Sequence, residues 1–316
     1  MKVTVYTESA GLPQLPAGNF FHSRQLMELC EKTPRMRPYM AVGTDDDGRC
    51  TAHLLAVLRR RKYWLPSFFV ANVRIYGDNG CQPDVFGNMI EAITQKLYHR
   101  SLYIEISNLS QKMFGYRQLR VCGYFPVRWM SIHNSLHSRT PEERITSRQL
   151  KRIERARSRG AQTKTVETES EFKAFSRLLR QHNWLKPQRY LPADELFRGM
   201  VADGHCQLFI TTFRQKVIGC AVCVFSDEDA YLWYSAAKRK SFAPLHPNAT
   251  TIWETICYAH RKGMQHIRFM DVGLPLRKNT YRDFILRFGG KEVSTYRWFR
   301  INIRWINRMA SWLWRE

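Results

Sequence analysis

The residues best equipped for chemistry lie between Asp229 and Gly290. Lys238, Arg239 and Lys240 follow an aromatic, alternating stretch that contains Tyr231 and Trp233, and Pro247 then opens an amphipathic segment. This order predicts a strand, a basic loop and a helix. The first turn of such a helix presents backbone N–H groups that have no helical partner, and cations beside it make a seat for phosphate or another anion. His246, Asn248 and Thr250 can add polar contacts there. A second apolar segment ends in Asp271-Val272-Gly273. A carboxylate just past the carboxyl end of a strand stands where α/β folds place their ligands. Asp271 is read in two ways: as a general base or holder of an incoming amine, or as a cap on the backbone N–H groups of the following loop.

Other chemistries find little support. Eight cysteines are scattered without a framework of spacings, and reduced, mostly buried thiols are expected. Cys220 and Cys223 lie in VIGCAVCVF, which reads as a buried strand. Residues three apart on a strand face opposite ways, so the two sulfurs diverge. His133 and His137 lie in MSIHNSLH, read as a strand leaving for a loop, so they share no helical face. No metal site is expected. Serine-hydrolase elbows, Walker loops and dinucleotide fingerprints are absent from the sequence.

The elements that must position these residues read as an α/β (α+β) architecture. In the first half, Val3 to Tyr6 is a strand and Gln25 to Glu31 a helix. Tyr39 to Val42 and Thr51 to Leu58 form a hairpin around Asp45-Asp46-Asp47-Gly48-Arg49. Phe86, Met89, Ile90, Ile93 and Leu97 have helical spacing. The second half repeats the outline: a strand at Thr163 to Thr165, a helix over Glu169 to His182, a hairpin of Leu208 to Arg214 with Lys216 to Phe225, then the strand–loop–helix–strand unit. Two halves in one order suggest duplication. Between them, Thr140-Pro141-Glu142-Glu143 starts a helix that Gly160 stops. Its cations, among them Arg148, Lys151, Arg152 and Arg155, make it either a solvated connecting helix or a contact for a polyanion. At 300–316, Trp305, Met309, Trp312 and Leu313 fall on one helical face beside a row of Arg300, Arg304 and Arg308. That pattern suits either a helix lying on anionic lipid, with Trp305, Trp312, Arg304 and Arg308 in contact, or one docked on its own protein with its arginines outward.

The chain resembles the Fem-type (FemAB/FemX-like) aminoacyl- and acyltransferases of the GNAT superfamily. The landmarks are Tyr234-Ser235-Ala236-Ala237, Pro247 to Trp253, Gly263 with Asp271-Val272-Gly273, and Phe284 with Phe288-Gly289-Gly290. Phe20-Phe21-His22-Ser23, Gly123-Tyr124-Phe125 and Arg148 with Arg155-Ala156 and Gly160 also fit. The resemblance implies two tandem GNAT-like domains, with mixed, mostly antiparallel sheets flanked by helices. Their expected bounds are 1–139 and 161–299, joined by the basic helix at 140–160 and followed by the amphipathic tail at 300–316. It further implies that Tyr281 protonates a leaving group, the other reading being a packed tyrosine with its hydroxyl merely satisfied, and that acyl-CoA or aminoacyl-tRNA serves as co-substrate with no tightly bound cofactor. Three departures stand out: Ile285 occupies a place where family members often have lysine, with Arg287 the nearest cation; the long helical-hairpin insertion of some Fem proteins finds no room; and the Lys238–Ser241 loop has no glycine, which counts against acetyl-CoA in the second domain.

Composition bounds the partners. Fifty Lys plus Arg against 27 Asp plus Glu leave +23, an excess that fits a polyanion such as tRNA or an anionic membrane. Of the 316 residues 44% are hydrophobic, enough for a substantial core, and no run reaches the roughly 20 apolar residues that span a bilayer. MKVTVYTESAG reads as a first strand rather than a secretory signal. A cytoplasmic location follows, with a peripheral contact at the inner face of the membrane. The expected activity is transfer of an acyl or aminoacyl group to an amine, on a cell-envelope precursor. The rival is a non-catalytic GNAT-like module that docks on RNA or anionic membrane.

Overall fold

The computed structural model describes residues 2–61, 65–107, 114–184, 190–270, 272–275 and 278–314. The first elements are β1 (Lys2–Tyr6), α1 (Arg24–Lys32), β2 (Met36–Thr44), β3 (Cys50–Arg60), β4 (Ala71–Tyr76), α2 (Pro83–Leu97), β5 (Tyr103–Ser107) and α3 (Tyr116–Val121). Next come β6 (Phe125–Ser135), α4 (Pro141–Arg144), α5 (Ser147–Ser158), β7 (Gln162–Thr165), α6 (Glu169–Asn183) and α7 (Asp194–Ala202). The chain goes on through β8 (Cys206–Phe213), β9 (Lys216–Ser226), β10 (Asp229–Ala237), α8 (Pro247–Arg261) and β11 (His266–Phe269). It closes with α9 (Thr280–Leu286), β12 (Lys291–Ile301) and α10 (Arg304–Leu313).

Local chemistry sets many of these boundaries. Ser23 caps α1 by accepting from the Leu26 N–H at 3.1 Å. Thr140 with Glu143 and Thr168 with Glu171 form reciprocal capping boxes at α4 and α6. Both α2 and α8 open with proline, whose missing N–H costs a helix nothing in its first turn. The β2–β3 hairpin turns where Asp45 Oδ1 accepts from the Arg49 N–H at 2.8 Å and Gly48 takes a φ of 78°.

The chain divides into two compact units, 1–129 with 294–316, and 130–293. In the first unit the strand order is β1-β2-β3-β4-β5-β12, antiparallel except for the parallel pair β4–β5. In the second it is β7-β8-β9-β10-β11-β6, antiparallel except for the parallel pair β10–β11. The two sheets therefore share one pattern of strand senses. In each, a helix bridges the parallel pair: α2 in the first unit, α8 in the second. Each of these helices buries one face on its sheet. Phe86, Met89, Ile90, Ile93 and Leu97 pack with Val73, Ile75, Ile104, Ile106 and Trp298. Ile252, Trp253 and Ile256 pack with Ala221, Leu232, Ile267 and Phe269. Each such side chain contributes about 1.5–3 kcal/mol relative to exposure.

The last strand of each sheet comes from the other half of the sequence. β6 follows α3 but pairs with β11, and β12 follows α9 but pairs with β5. This exchange is why the compact units differ from the expected segments at 139, 160 and 299. Residues 140–160 also differ from the single connecting helix expected there. They form α4 and α5, broken at Ile145, whose backbone is extended. Gln149, Ile153 and Ala156 are buried, so α5 packs within the second unit instead of crossing solvent. Residues 304–313 are a helix, as the tail pattern predicted, and belong to the first unit.

Candidate functional site

The β10–α8 connection folds so that cations meet a helix start. After Ala237 the chain turns through Lys238 to Phe242 and a short 3-10 segment, Ala243–Leu245, before Pro247 opens α8. His246 takes a left-handed conformation at φ 41°, and its carbonyl accepts from the N–H groups of Ala249 and Thr250 at 2.8 and 3.1 Å. A pocket of about 410 Å³ opens at this turn. Arg239 and His246 come from the connection, Asn248 from α8, Gln149 and Arg152 from α5, Tyr281 and Phe284 from α9, and Arg287 from just beyond it. Three guanidiniums thus surround the α8 N-terminus, and no carboxylate is among the lining residues. Burial lowers the pKa of His246, and Arg152 and Arg159 lower it further. Burial and the neighbouring guanidiniums thus both favour the uncharged imidazole.

Packing holds these groups in place. Arg157 of α5 pairs with Glu254 of α8 at 3.0 Å, and Arg159 donates to the Pro244 carbonyl at 3.3 Å. The Thr146 N–H donates to the Arg287 carbonyl at 2.9 Å, tying the start of α5 to the end of α9. Asn279 caps α9 by accepting from the Tyr281 N–H at 2.9 Å, while its amide donates to the Val272 carbonyl at 2.8 Å. Gln149 is 2% exposed, and its Oε1 has no hydrogen-bond partner. A buried acceptor of this kind is costly unless a ligand donates to it.

The equivalent place in the first unit is built differently. α2 also begins after a parallel-pair strand and with proline, but its first turn carries Asp84, which accepts from Gln118 Nε2 at 2.6 Å. The Gln118 side chain lies against Gly87, on the first turns of α2. A carboxylate at the α2 start, where the α8 start has cations, disfavours an anion there.

β10 pairs with β11 as far as Leu232↔Phe269, where β11 ends, and then continues along β9 to Ala237. A register shift between Leu232 and Tyr234 marks a bulge at Trp233. The carboxyl end of β10 leads to the α8 N-terminus, the end of an α/β sheet where ligands bind.

Residues 147–278 match the family model of the acetyltransferase (GNAT) domain, the stretch that supplies α5, β10 and α8. The chain carries a GNAT domain. Its class of chemistry is acyl transfer, and the whole fold is Fem-like. A crystal structure of FemX covers 94% of this chain and 95% of its own at a TM-score of 0.65 and 10% identity. L-PGS from Bacillus licheniformis covers 95% and 100% at 0.58 and 10% identity. A tandem GNAT protein from the clavulanic acid biosynthesis pathway covers 89% and 88% at 0.56 and 11% identity. At these identities the likeness is one of fold. No curated protein sequence matches the chain.

The structure separates the expected site residues. Arg239, Asn248, Arg152 and Tyr281 line the pocket. Lys238 and Lys240 are exposed on the turn and are not among its lining residues. Thr250 is buried, and its hydroxyl donates to the Pro247 carbonyl at 3.1 Å, so its side chain is already used within α8. Arg148, Lys151 and Arg155 are exposed on α5, where the helical period turns them away from the buried face. Asp271 lies outside the described residues. Gln149 and Arg287 were missed. Gln149 stands in a run of cations that drew the reading toward charge, and Arg287 was noted only as the cation nearest Ile285, since the site signal on that helix fell on Tyr281. His133 and His137 both approach His266, with ring centroids 5.8 and 5.3 Å away. Among the described residues no group of three or more His, Cys, Asp and Glu side chains is arranged to hold a metal ion.

The first unit has its own polar face. Arg74 and Arg297 both pair with the buried carboxylate of Glu105, Arg297 at 3.2 Å, and Arg297 also stacks over Trp129 at 3.9 Å. Burial alone raises the Glu105 pKa, but Arg74, Arg297 and Arg59 outweigh it and hold the carboxyl below its ordinary value. The face is an ionised cluster built into the sheet.

Proposed function

We propose that this chain transfers an aminoacyl group from aminoacyl-tRNA to an amine, seating a donor phosphate at the α8 N-terminus. The observation that carries this reading is the meeting of Arg152, Arg239 and Arg287 at that helix start, in the unit that matches the GNAT model. Beyond the pocket, Arg148, Lys151, Arg155 and Arg159 extend exposed positive charge along α5. One pyrophosphate needs no such row, and a polynucleotide backbone does. A second reading, acyl-CoA as donor, is supported by the GNAT match itself. Lysylphosphatidylglycerol, named for a similar structure from Agrobacterium fabrum, joins an amino acid to an anionic lipid. That name supports an acceptor at the cell envelope and a peripheral place for the enzyme at an anionic membrane.

In the proposed step the amine nitrogen attacks the acyl carbonyl. The C–N bond forms, and the bond from that carbon to the ribose oxygen (to sulfur, for a thioester) breaks. Tyr281 Oη gives its proton to the leaving atom and recovers one from the ammonium formed by the attack. Donor phosphate on the cations at the α8 start orients the carbonyl. Asp271 is the carboxylate that the sequence offers as base or amine holder.

The test is transfer of label from aminoacyl-tRNA or acyl-CoA to a panel of amines. Label should move from one donor class, and Arg152→Ala with Arg239→Ala should raise its KM on the order of 10-fold or more. Saturable, salt-dependent RNA binding with no transfer from either donor would support the non-catalytic module instead.

A further inference from the structure

The exposed face of α10 has no function in the transfer step. We propose that α10 docks the protein on the surface of an anionic phospholipid bilayer, lying in the plane of the interface. The inference deepens the peripheral placement above, but it stands independently of the donor seat, since no α10 residue lines that pocket.

The helix is fixed by its polar side and open on its apolar one. Asn307 Oδ1 accepts from the Ile301 N–H at 2.8 Å, and its amide donates to the Gly123 carbonyl at 2.9 Å. Arg120 of α3 reaches Ser311 Oγ at 3.4 Å. Ile306 and Ala310, on the same side, are half-buried. The opposite side carries Trp305, Met309, Trp312 and Leu313, which are 68%, 58%, 65% and 70% exposed. A helix that spends an asparagine on anchoring and leaves two tryptophans in water is inverted relative to a helix that only closes a core.

Charge identifies the occupant. Arg304 and Arg308 are both exposed and project next to the apolar stripe. From Arg297 to Trp314, and again from Tyr116 to Val121 on α3, the sequence has no acidic residue. Exposed Arg117 and the 80% exposed Val121 on α3 extend the same mixture of cation and apolar surface near the Asn307–Gly123 anchor. Tryptophan at headgroup depth with arginine at the phosphates is the arrangement that an interfacial helix uses on anionic lipid. Among the described residues no helix is long and apolar enough to cross a membrane, so the contact is one of surface attachment.

The test uses the full chain and sedimentation with vesicles of phosphatidylcholine, alone or with phosphatidylglycerol. Binding is expected with phosphatidylglycerol, weakening at high salt. Trp305→Ser with Trp312→Ser should reduce it at least 10-fold while circular dichroism and label transfer to a soluble amine stay unchanged. Arg304→Gln and Arg308→Gln should each weaken it about five-fold. Lack of binding to phosphatidylglycerol vesicles, or equal binding by the double tryptophan variant, overturns the proposal. So does a dimer abolished by the tryptophan substitutions in the absence of lipid, which would assign the face to a second copy. RNA binding lost with the two arginines, without vesicle binding, overturns it too.

Discussion

In the proposed step, removal of the Tyr281 hydroxyl separates chemistry from binding. Tyr281 lines the pocket at the α8 start and packs against Phe284 with centroids 6.4 Å apart, so Tyr281→Phe keeps the ring and deletes the proton. Its kcat should fall on the order of 100-fold with little change in donor KM, read by steady-state transfer kinetics. An unchanged kcat would leave Tyr281 a packing residue. His22 makes a separate prediction about stability. Its Nδ1 accepts from the Leu55 N–H at 2.9 Å and its Nε2 faces the Tyr76 carbonyl at 2.5 Å, the arrangement of a neutral ring. Burial lowers its pKa from 6.5 to about 3. Between those values the unfolded chain takes up a proton that the folded chain refuses. His22 thus supports the fold fully above pH 6.5, and this support declines by about 1.4 kcal/mol per pH unit as pH falls toward 3. Urea midpoints at pH 7 and pH 5 should diverge for the native chain, and His22→Gln should reduce the divergence.

Among the elements, the turn after α9 is the most demanding. Gly289 has a φ of 89°, and a Cβ on it would run into the carbonyl of Arg144, which ends α4. Gly290 in turn lies against Ile132 of β6, and Asn134 of the same strand donates to the Phe288 carbonyl at 2.8 Å. This turn is where α4, β6 and α9 meet, which gives the Phe288-Gly289-Gly290 landmark a physical cause. Gly289→Ala should destabilise the protein by about 3 kcal/mol, combining left-handed strain with a backbone clash. Thermal unfolding would show it, and a shift within that of a surface substitution would contradict the geometry. The Phe20-Phe21-His22-Ser23 landmark resolves in the same way: both phenylalanines and the histidine are buried, and the serine caps α1.

For the whole molecule the governing quantity is charge. An excess of +23 makes donor association depend on salt, and the slope distinguishes the donors. A tRNA held along α5 as well as in the pocket should give a donor KM that rises steeply between 50 and 200 mM salt. Acyl-CoA, contacting the pocket cations alone, should give a shallow rise. Parallel KM measurements at several salt concentrations check this. Two units with one pattern of strand senses differ at the corresponding helix starts, one holding Asp84 and Gln118, the other three arginines.

Local rules made much of this legible in the sequence. Apolar period and turn residues placed α2 and the first hairpin, and Pro247 and the cations marked the α8 start, because these signals depend on neighbours a few residues away. The tertiary structure decided what those rules cannot reach. β6 and β12 pair with strands more than a hundred residues away, so the unit boundaries were hidden. A run of arginines on α5 looks uniform in sequence, yet packing points Arg152 into the pocket and leaves Arg148, Lys151 and Arg155 on the surface. The tail pattern fitted two opposite orientations, and the Asn307 anchor chose the one that leaves the tryptophans exposed. In each case side-chain type was set locally, while its neighbours were set by contacts between segments distant in the chain.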